Sequence, residues 1–297
     1  MDAPSRSRRR TVVPTGLQVR FWGVRGSIAV PGPDTLHYGG NTACVEVRCG
    51  KEIVILDAGT GIRELGKQLE SEFNGQPGRV TILITHTHWD HIQGFPFFAP
   101  AYNPRHRIQI LGWRGSRAGL KRTVTAAVES PYFPVALREM PSSITLKELR
   151  VSEFRLGPIR GTTTRLNHPG GGVALRLANR KATLAYVTDH EVSFENGAGR
   201  NRSMRALVQG VDVLIHDAQY TTAEYPKRVG WGHSSVESAV HVAAEARVGR
   251  LILFHHEPER DDRQMDALVA EARAFARALG SKIPIDAARE GMSLQIG

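Results

Sequence analysis

The chain has 297 residues, 41% of them hydrophobic and 23% charged, a balance that fits one large two-layer domain or two fused halves of similar build. It excludes a disordered chain, a collagen-like repeat and a coiled coil, and no run approaches the roughly 18 apolar residues that span a bilayer. The formal net charge is +10 with a pI near 10.0, which suits a nucleic-acid partner, an anionic small substrate or a solvated surface alike.

Residues 1–16 set Arg6, Arg8, Arg9 and Arg10 against Asp2, followed by Pro14 and Gly16, without the apolar stretch of an export signal. They are expected to form a disordered basic tail on a cytoplasmic protein whose folded domain runs over 17–297. The remaining basic residues, Arg105, Arg107, Arg114, Arg117, Lys121 and Arg122 among them, are spread out, with no block of five. If Cys44 and Cys49 lie on one strand, they are about 16 Å apart at roughly 3.3 Å per residue, too far for a disulfide. Two reduced thiols follow.

Short β-branched runs alternate with helical stretches. Strands are expected at Leu17–Phe21, Cys44–Val47, Ile53–Leu56, Val80–Ile84, Arg107–Leu111, Ile159–Arg165, Val173–Leu177, Thr183–Val187, Val211–Ile215 and Arg250–Phe254. Runs such as Ile53-Val54-Ile55-Leu56 are continuously apolar, as in strands covered on both faces. Helices are expected at Ile62–Phe73, capped by Thr60, and at Ser116–Glu129, Ser235–Ala246 and Asp262–Leu279. In the last, Met265, Leu268, Val269, Ala272, Phe275, Ala276 and Leu279 form one apolar stripe. Pro131–Pro141 reads as an irregular loop, part of a lid or rim. The pattern suits an α/β fold with two facing sheets and helices outside.

The chemistry concentrates in Thr85-His86-Thr87-His88-Trp89-Asp90-His91, just after the apolar strand Val80–Ile84. Alternate side chains of an extended segment share a face, so His86 and His88 can grip one cation. The turn that follows can swing Asp90 and His91 toward a second. Imidazole and carboxylate are ligands that Zn²⁺ accepts. Three further groups sit just past apolar strands: Asn167-His168-Pro169, Thr188-Asp189-His190 and His255-His256-Glu257-Pro258. Four strand ends can converge on one edge of a sandwich. A polar loop rich in His is the plain alternative.

The His86-x-His88-x-Asp90-His91 motif, with His168, Asp189 and His255 downstream, resembles the metallo-β-lactamase fold superfamily over roughly Gln18 to Ile296. The resemblance implies an αββα sandwich holding two divalent metal ions, usually zinc, with manganese or iron as alternatives. On that likeness His86, His88 and His168 hold one ion, Asp90, His91 and His255 the other, and Asp189 bridges them. His255 fits the His-x-x-Pro pattern of the last ligand, with His256 as the alternative.

Gly232-His233-Ser234-Ser235 is similar to the Gly-His-Ser-Thr segment of ribonuclease Z and related phosphodiesterases. There the His gives a proton to the leaving oxygen, which casts His233 as the acid and Asp217 as the carboxylate that orients it. Helix capping by Ser234, with His233 a bystander, is the other reading. Asp90 doubles as a proton acceptor on the same likeness. Phe21-Trp22-Gly23-Val24-Arg25-Gly26-Ser27 and Tyr38-Gly39-Gly40-Asn41-Thr42 also match this branch, and Asp57 is placed to orient a ligating His. His190 and His216 are candidates for a supporting role, and His37, His106 and His241 for packing or surface positions.

The function expected is hydrolysis of a small anionic phosphodiester, with a 3′,5′-cyclic nucleotide as the specific guess, by water activated between two cations. The alternatives are tRNA 3′-end processing, with RNA as partner, and a non-catalytic metal-binding regulatory module. Against the second stands the short segment from Arg165 to Asp189, which leaves no room for the protruding arm of that enzyme. Against the third stands the complete ligand set. A β-lactamase is disfavoured by the missing export signal. The resemblance also implies a homodimer and no membrane partner.

Overall fold

The computed structural model describes residues 16–113, 119–149, 153–192 and 198–297. The expected basic tail, apart from Gly16, and the first turn of the helix expected from Ser116 lie outside them. The first sheet contains β1 (Leu17–Gly23), β2 (Cys44–Cys49), β3 (Glu52–Leu56), β4 (Arg79–Ile84), β5 (Arg107–Trp113), β6 (Ser143–Leu149) and β14 (Ser293–Ile296). The second contains β7 (Glu153–Leu156), β8 (Ile159–Arg165), β9 (Val173–Ala178), β10 (Thr183–Val187), β11 (Val213–Asp217), β12 (Leu251–Phe254) and β13 (Ile285–Ala287). Their orders are β14-β1-β2-β3-β4-β5-β6 and β13-β12-β11-β10-β9-β8-β7.

Three cores make this an αββα sandwich. Between the sheets lie Leu17, Val19, Phe21, Val45, Leu56, Leu175, Tyr186, Ile252 and Phe254. In β1 the buried Leu17, Val19 and Phe21 alternate with the less buried Gln18, Arg20 and Trp22, the period of a strand with one covered face. Outside the first sheet, α1 (Ile62–Phe73) and α3 (Leu120–Ala127) bury Ile62, Leu65, Leu69, Leu120 and Val124 against Ile82 and Ile110. Outside the second, α5 (Val236–Glu245) and α6 (Asp262–Ala278) bury Val240, Ala243, Met265, Leu268 and Ala272 against Leu214 and Leu253. Cys44 and Cys49 are free and buried on opposite faces of β2, as five residues of separation require.

Strand direction places the site. β3, β4, β5 and β6 run parallel to one another. So do β10, β11 and β12, while β8 regains that direction through two antiparallel steps across β9. All these carboxyl ends therefore open at one edge, where ligands bind in such sheets.

Several expectations need correction. Thr60 does not cap α1. The cap position belongs to Gly61 without a side-chain bond, and the Thr60 hydroxyl instead accepts from the Thr42 amide at 2.9 Å. Leu279 ends the α6 stripe exposed, just past the helix. β11 starts at Val213 and includes Asp217 as its last residue. Ser235, not Ser234, caps α5, accepting from the Ser238 amide at 3.1 Å. The Pro131–Pro141 stretch contains one short 3-10 turn, Leu137–Glu139. It leaves Tyr132 exposed but packs Phe133, Val135, Leu137 and the buried Met140 on the core over the first sheet.

Candidate active site

Each candidate residue sits at the shared carboxyl edge. Past β4 the chain bends at Thr85, carries His86 and an extended His88 to the site side, and then turns through the short helix α2 (Trp89–Ile92), which brings Asp90 and His91 back. His168 follows β8, Asp189 follows β10 and His255 follows β12. Asp57, Asp189 and His255, each just past a strand, adopt φ of 61°, 50° and 60°. Such left-handed backbone costs about 1–3 kcal/mol per non-glycine residue and persists where its surroundings enforce it. Here it aims three side chains into one edge.

The side chains meet in two groups. The His86 and His168 Nε2 atoms lie 3.5 and 3.7 Å from Asp189 Oδ2, and His168 Nε2 lies 3.0 Å from His88 Nδ1. Asp189 Oδ1 lies 3.1 Å from His91 Nε2 and 3.3 Å from His255 Nε2, and Asp90 Oδ2 lies 3.3 and 3.1 Å from the same two nitrogens. His86, His88, His168 and Asp189 could hold one cation, and Asp90, His91, Asp189 and His255 a second. Asp189 offers one oxygen to each group. His256 is turned away, its Nε2 2.8 Å from the Ala288 carbonyl.

The donor set fits divalent metal ions. His86 Nε2 is buried without a hydrogen-bond partner. Burial holds His86 well below the ordinary imidazole range, and holds His88 below it and His168 at about 4, which favours the neutral form that a metal ligand requires. Burial would raise Asp90 and Asp189, but the surrounding imidazoles reverse this and keep both ionised. His91 is buried too, yet Asp189, Asp90 and Asp57 draw its pKa well upward. Two carboxylates, Asp90 and Asp189, thus demand positive charge where a cation would sit.

A second layer fixes these groups. Asp57 is fully buried and lies 2.9 Å from His91 Nδ1. It accepts from the Thr85 amide at 2.8 Å and from the Thr85 and Tyr186 hydroxyls at 3.0 Å. The Ser27 amide donates to Asp90 Oδ2 at 2.8 Å, with Ser27 itself at φ 59°. The His233 ring lies 5.2 Å from that of His168 and stacks 5.0 Å from that of His255. Its Nδ1 is 2.8 Å from Asp217 Oδ2. These two residues with His255 form a third close group, but the Nδ1 bond to Asp217 leaves His233 only Nε2 to offer.

Glu191 is a site residue that the sequence reading did not find. It accepts from the Gly230 and Gly232 amides at 2.9 Å and from the Tyr225 hydroxyl at 2.8 Å. The Gly232 carbonyl in turn lies 3.0 Å from His168 Nδ1. No local motif marks Glu191, because its partners lie 39 and 41 residues away. His190 and His216 stay outside both cation groups. His190 Nδ1 accepts from the Asn167 amide at 3.0 Å, and burial holds that ring at about 3. His106 is a packing residue, joined to the Gly78 amide and to Glu70 at 2.8 Å each.

The beta-lactamase superfamily domain matches residues 53–256. Ribonuclease BN of Salmonella paratyphi C (strain RKS4594) is 27% identical over 259 residues, covering 74% of this chain and 84% of its own. The metallo-beta-lactamase fold protein YhfI from Bacillus subtilis superposes with a TM-score of 0.70 at 18% identity, over 94% of this chain and 99% of its own. A diphosphatase from the PhnP family superposes with a TM-score of 0.67 at 15% identity, over 94% and 97%. Both the matched span and the shared sandwich lead to one assignment: the chain belongs to the beta-lactamase superfamily and has the metallo-β-lactamase fold.

Proposed function

We propose that the protein is a metal-dependent phosphodiesterase acting on a small anionic phosphodiester, with His233 as the general acid. The observation that carries this reading is the place of His233, between His168 of one cation group and His255 of the other, with Asp217 on its Nδ1. His86, His88 and His168 would hold one ion, Asp90, His91 and His255 the second, and Asp189 both. Zinc is the metal proposed, since a mixed imidazole and carboxylate set suits it. When bound, a pair of such ions supplies Lewis acidity at phosphorus and a lowered pKa for the attacking water.

The residues of the chain do the rest. Asp90 accepts the proton that water loses as its oxygen bonds to phosphorus. The bond from phosphorus to the leaving oxygen breaks, and His233 Nε2 gives that oxygen its proton. Asp217 keeps the ring oriented and stabilises its protonated form. Proton return from Asp90 to His233 through solvent closes the cycle, with one water consumed and a phosphate monoester and a free hydroxyl formed, both on one product where the diester is cyclic.

The relatives named ribonuclease and diphosphatase support hydrolysis of a phosphorus ester bond. A 3′,5′-cyclic nucleotide is the specific substrate proposed. An endoribonuclease is the second reading, favoured by the ribonuclease BN likeness and the net charge of +10. The β9–β10 hairpin fills the stretch between Arg165 and Asp189 and leaves no protruding arm there. A panel of cyclic nucleotides, bis(p-nitrophenyl) phosphate and a precursor tRNA, run in defined metal, tests both readings. Turnover of cyclic nucleotides supports the first, and turnover of precursor tRNA alone supports the second. A metal-loaded protein inert toward all three rules out both.

A further inference from the structure

His233 is the inner end of a row of rings that leads out of the site. Its ring lies 6.0 Å from that of Tyr220, edge to face. The Arg228 guanidinium lies 6.0 Å from the Tyr220 ring and 4.5 Å over the ring of Trp231. Exposure rises along the row: Tyr220 is 4% exposed and Trp231 55%. Among the described residues no carboxylate pairs with Arg228.

The segment that carries Arg228 and Trp231 is tied at several points. Glu191 holds the Gly230 and Gly232 amides and the Tyr225 hydroxyl. Glu224 accepts from Arg260 Nη2 at 2.8 Å and from the Thr221 amide at 2.7 Å. A large indole held in the open by a braced loop forgoes the gain of burial, which is the mark of a binding face. Trp231 is two residues from His233, the group proposed to protonate the leaving oxygen, so this face borders the leaving-group side. A half-exposed indole with a guanidinium over one face, and no carboxylate among the described residues to neutralise it, matches a nucleobase carried on a phosphorylated sugar, the base stacking on the other face.

We propose that Trp231 and Arg228 form a leaving-group subsite in which Trp231 stacks a nucleobase, so that nucleotide diesters are the preferred substrates. This rests on the phosphodiesterase reading above. Stacking of one base on an aromatic ring corresponds to a factor of about 5 to 150.

The test uses the metal-loaded full chain with two probes: the dinucleotide ApA, and its analogue lacking the base on the nucleoside whose oxygen leaves, identified from the products of ApA. The parent is expected to favour ApA in kcat/KM by about tenfold. Trp231→Ala is expected to erase that preference, its kcat/KM on ApA falling to that on the abasic probe, and Trp231→Phe to keep most of it. Adenosine is expected to inhibit the parent more tightly than ribose, a difference lost in Trp231→Ala. Equal rates of the parent on both probes overturn the subsite and leave the phosphodiesterase reading standing, as does a Trp231→Ala variant that slows both equally. Hydrolysis of neither probe, nor of bis(p-nitrophenyl) phosphate or a cyclic nucleotide, overturns the reading and the subsite together.

Discussion

Asp217 and His233 form a fixed pair: Oδ2 of the fully buried carboxylate lies 2.8 Å from the imidazole Nδ1. The same oxygen accepts from the His190 amide at 3.1 Å, and Oδ1 from the Gln219 amide at 3.1 Å. Two backbone donors thus lock the carboxylate before it meets the ring. Asp217→Asn and His233→Ala are therefore expected to lower kcat on an unactivated diester by about 10²–10⁴, the usual worth of a general acid. On bis(p-nitrophenyl) phosphate, whose leaving group needs no proton, the loss should be far smaller. Equal losses on both substrates would remove His233 from the role of acid.

The same pair sets a titration in the metal-free protein. Burial resists protonation of His233, but Asp217, with Asp189 and Asp90 beyond it, raises the ring from 6.5 to about 9. Because the folded value lies above the unfolded one, the stabilisation is complete below about pH 6.5 and is lost as pH rises through about 9. It is worth on the order of 3 kcal/mol. NMR titration of the histidine ring protons in chelator-treated protein should find one ring near 9, and Asp217→Asn should bring it down. A His233 ring that titrates at or below 6.5 in the parent refutes this account.

Asp189 offers an oxygen to each cation group, so its loss should disturb both. The parent is expected to retain two divalent ions per chain after dialysis, and Asp189→Ala fewer than one, by elemental analysis. Activity on any diester should fall with the metal. Retention of two ions by Asp189→Ala would mean that the carboxylate bridges nothing.

Glu191 acts at a distance, through the Gly232 carbonyl that faces His168 Nδ1. Partners of this kind are worth about 10–100-fold in metal affinity. Glu191→Ala should weaken one of the two ions by that order and spare the other, as read by chelator competition. Unchanged affinity for both ions would make the Glu191 contacts purely a matter of loop packing.

The sequence shows strands and ligands best where local chemistry is dense. The apolar run Val80–Ile84 leading into His86, His88, Asp90 and His91 marks both an element and a candidate site, and each further candidate ligand follows its own apolar strand. Edge strands were harder. β6 and β7 are short of continuous apolar residues, since Ser143, Thr145, Lys147, Glu153 and Arg155 face out, and β13 and β14 are only three and four residues long. Thr60 fits a helix cap by type, but the facing Thr42 offers it a better partner across the fold. Glu191 earns its place only through contacts that cross the chain, which no local pattern records.

The two layers divide the cation cage between them. The first sheet delivers His86, His88, Asp90 and His91, and the second delivers His168, Asp189 and His255. Neither layer alone completes a coordination shell. Ions bound there would therefore act as a rivet through the sandwich, and a half-folded chain would not be a half-working one: the proposed reaction centre would come into being only when both leaves have closed in register.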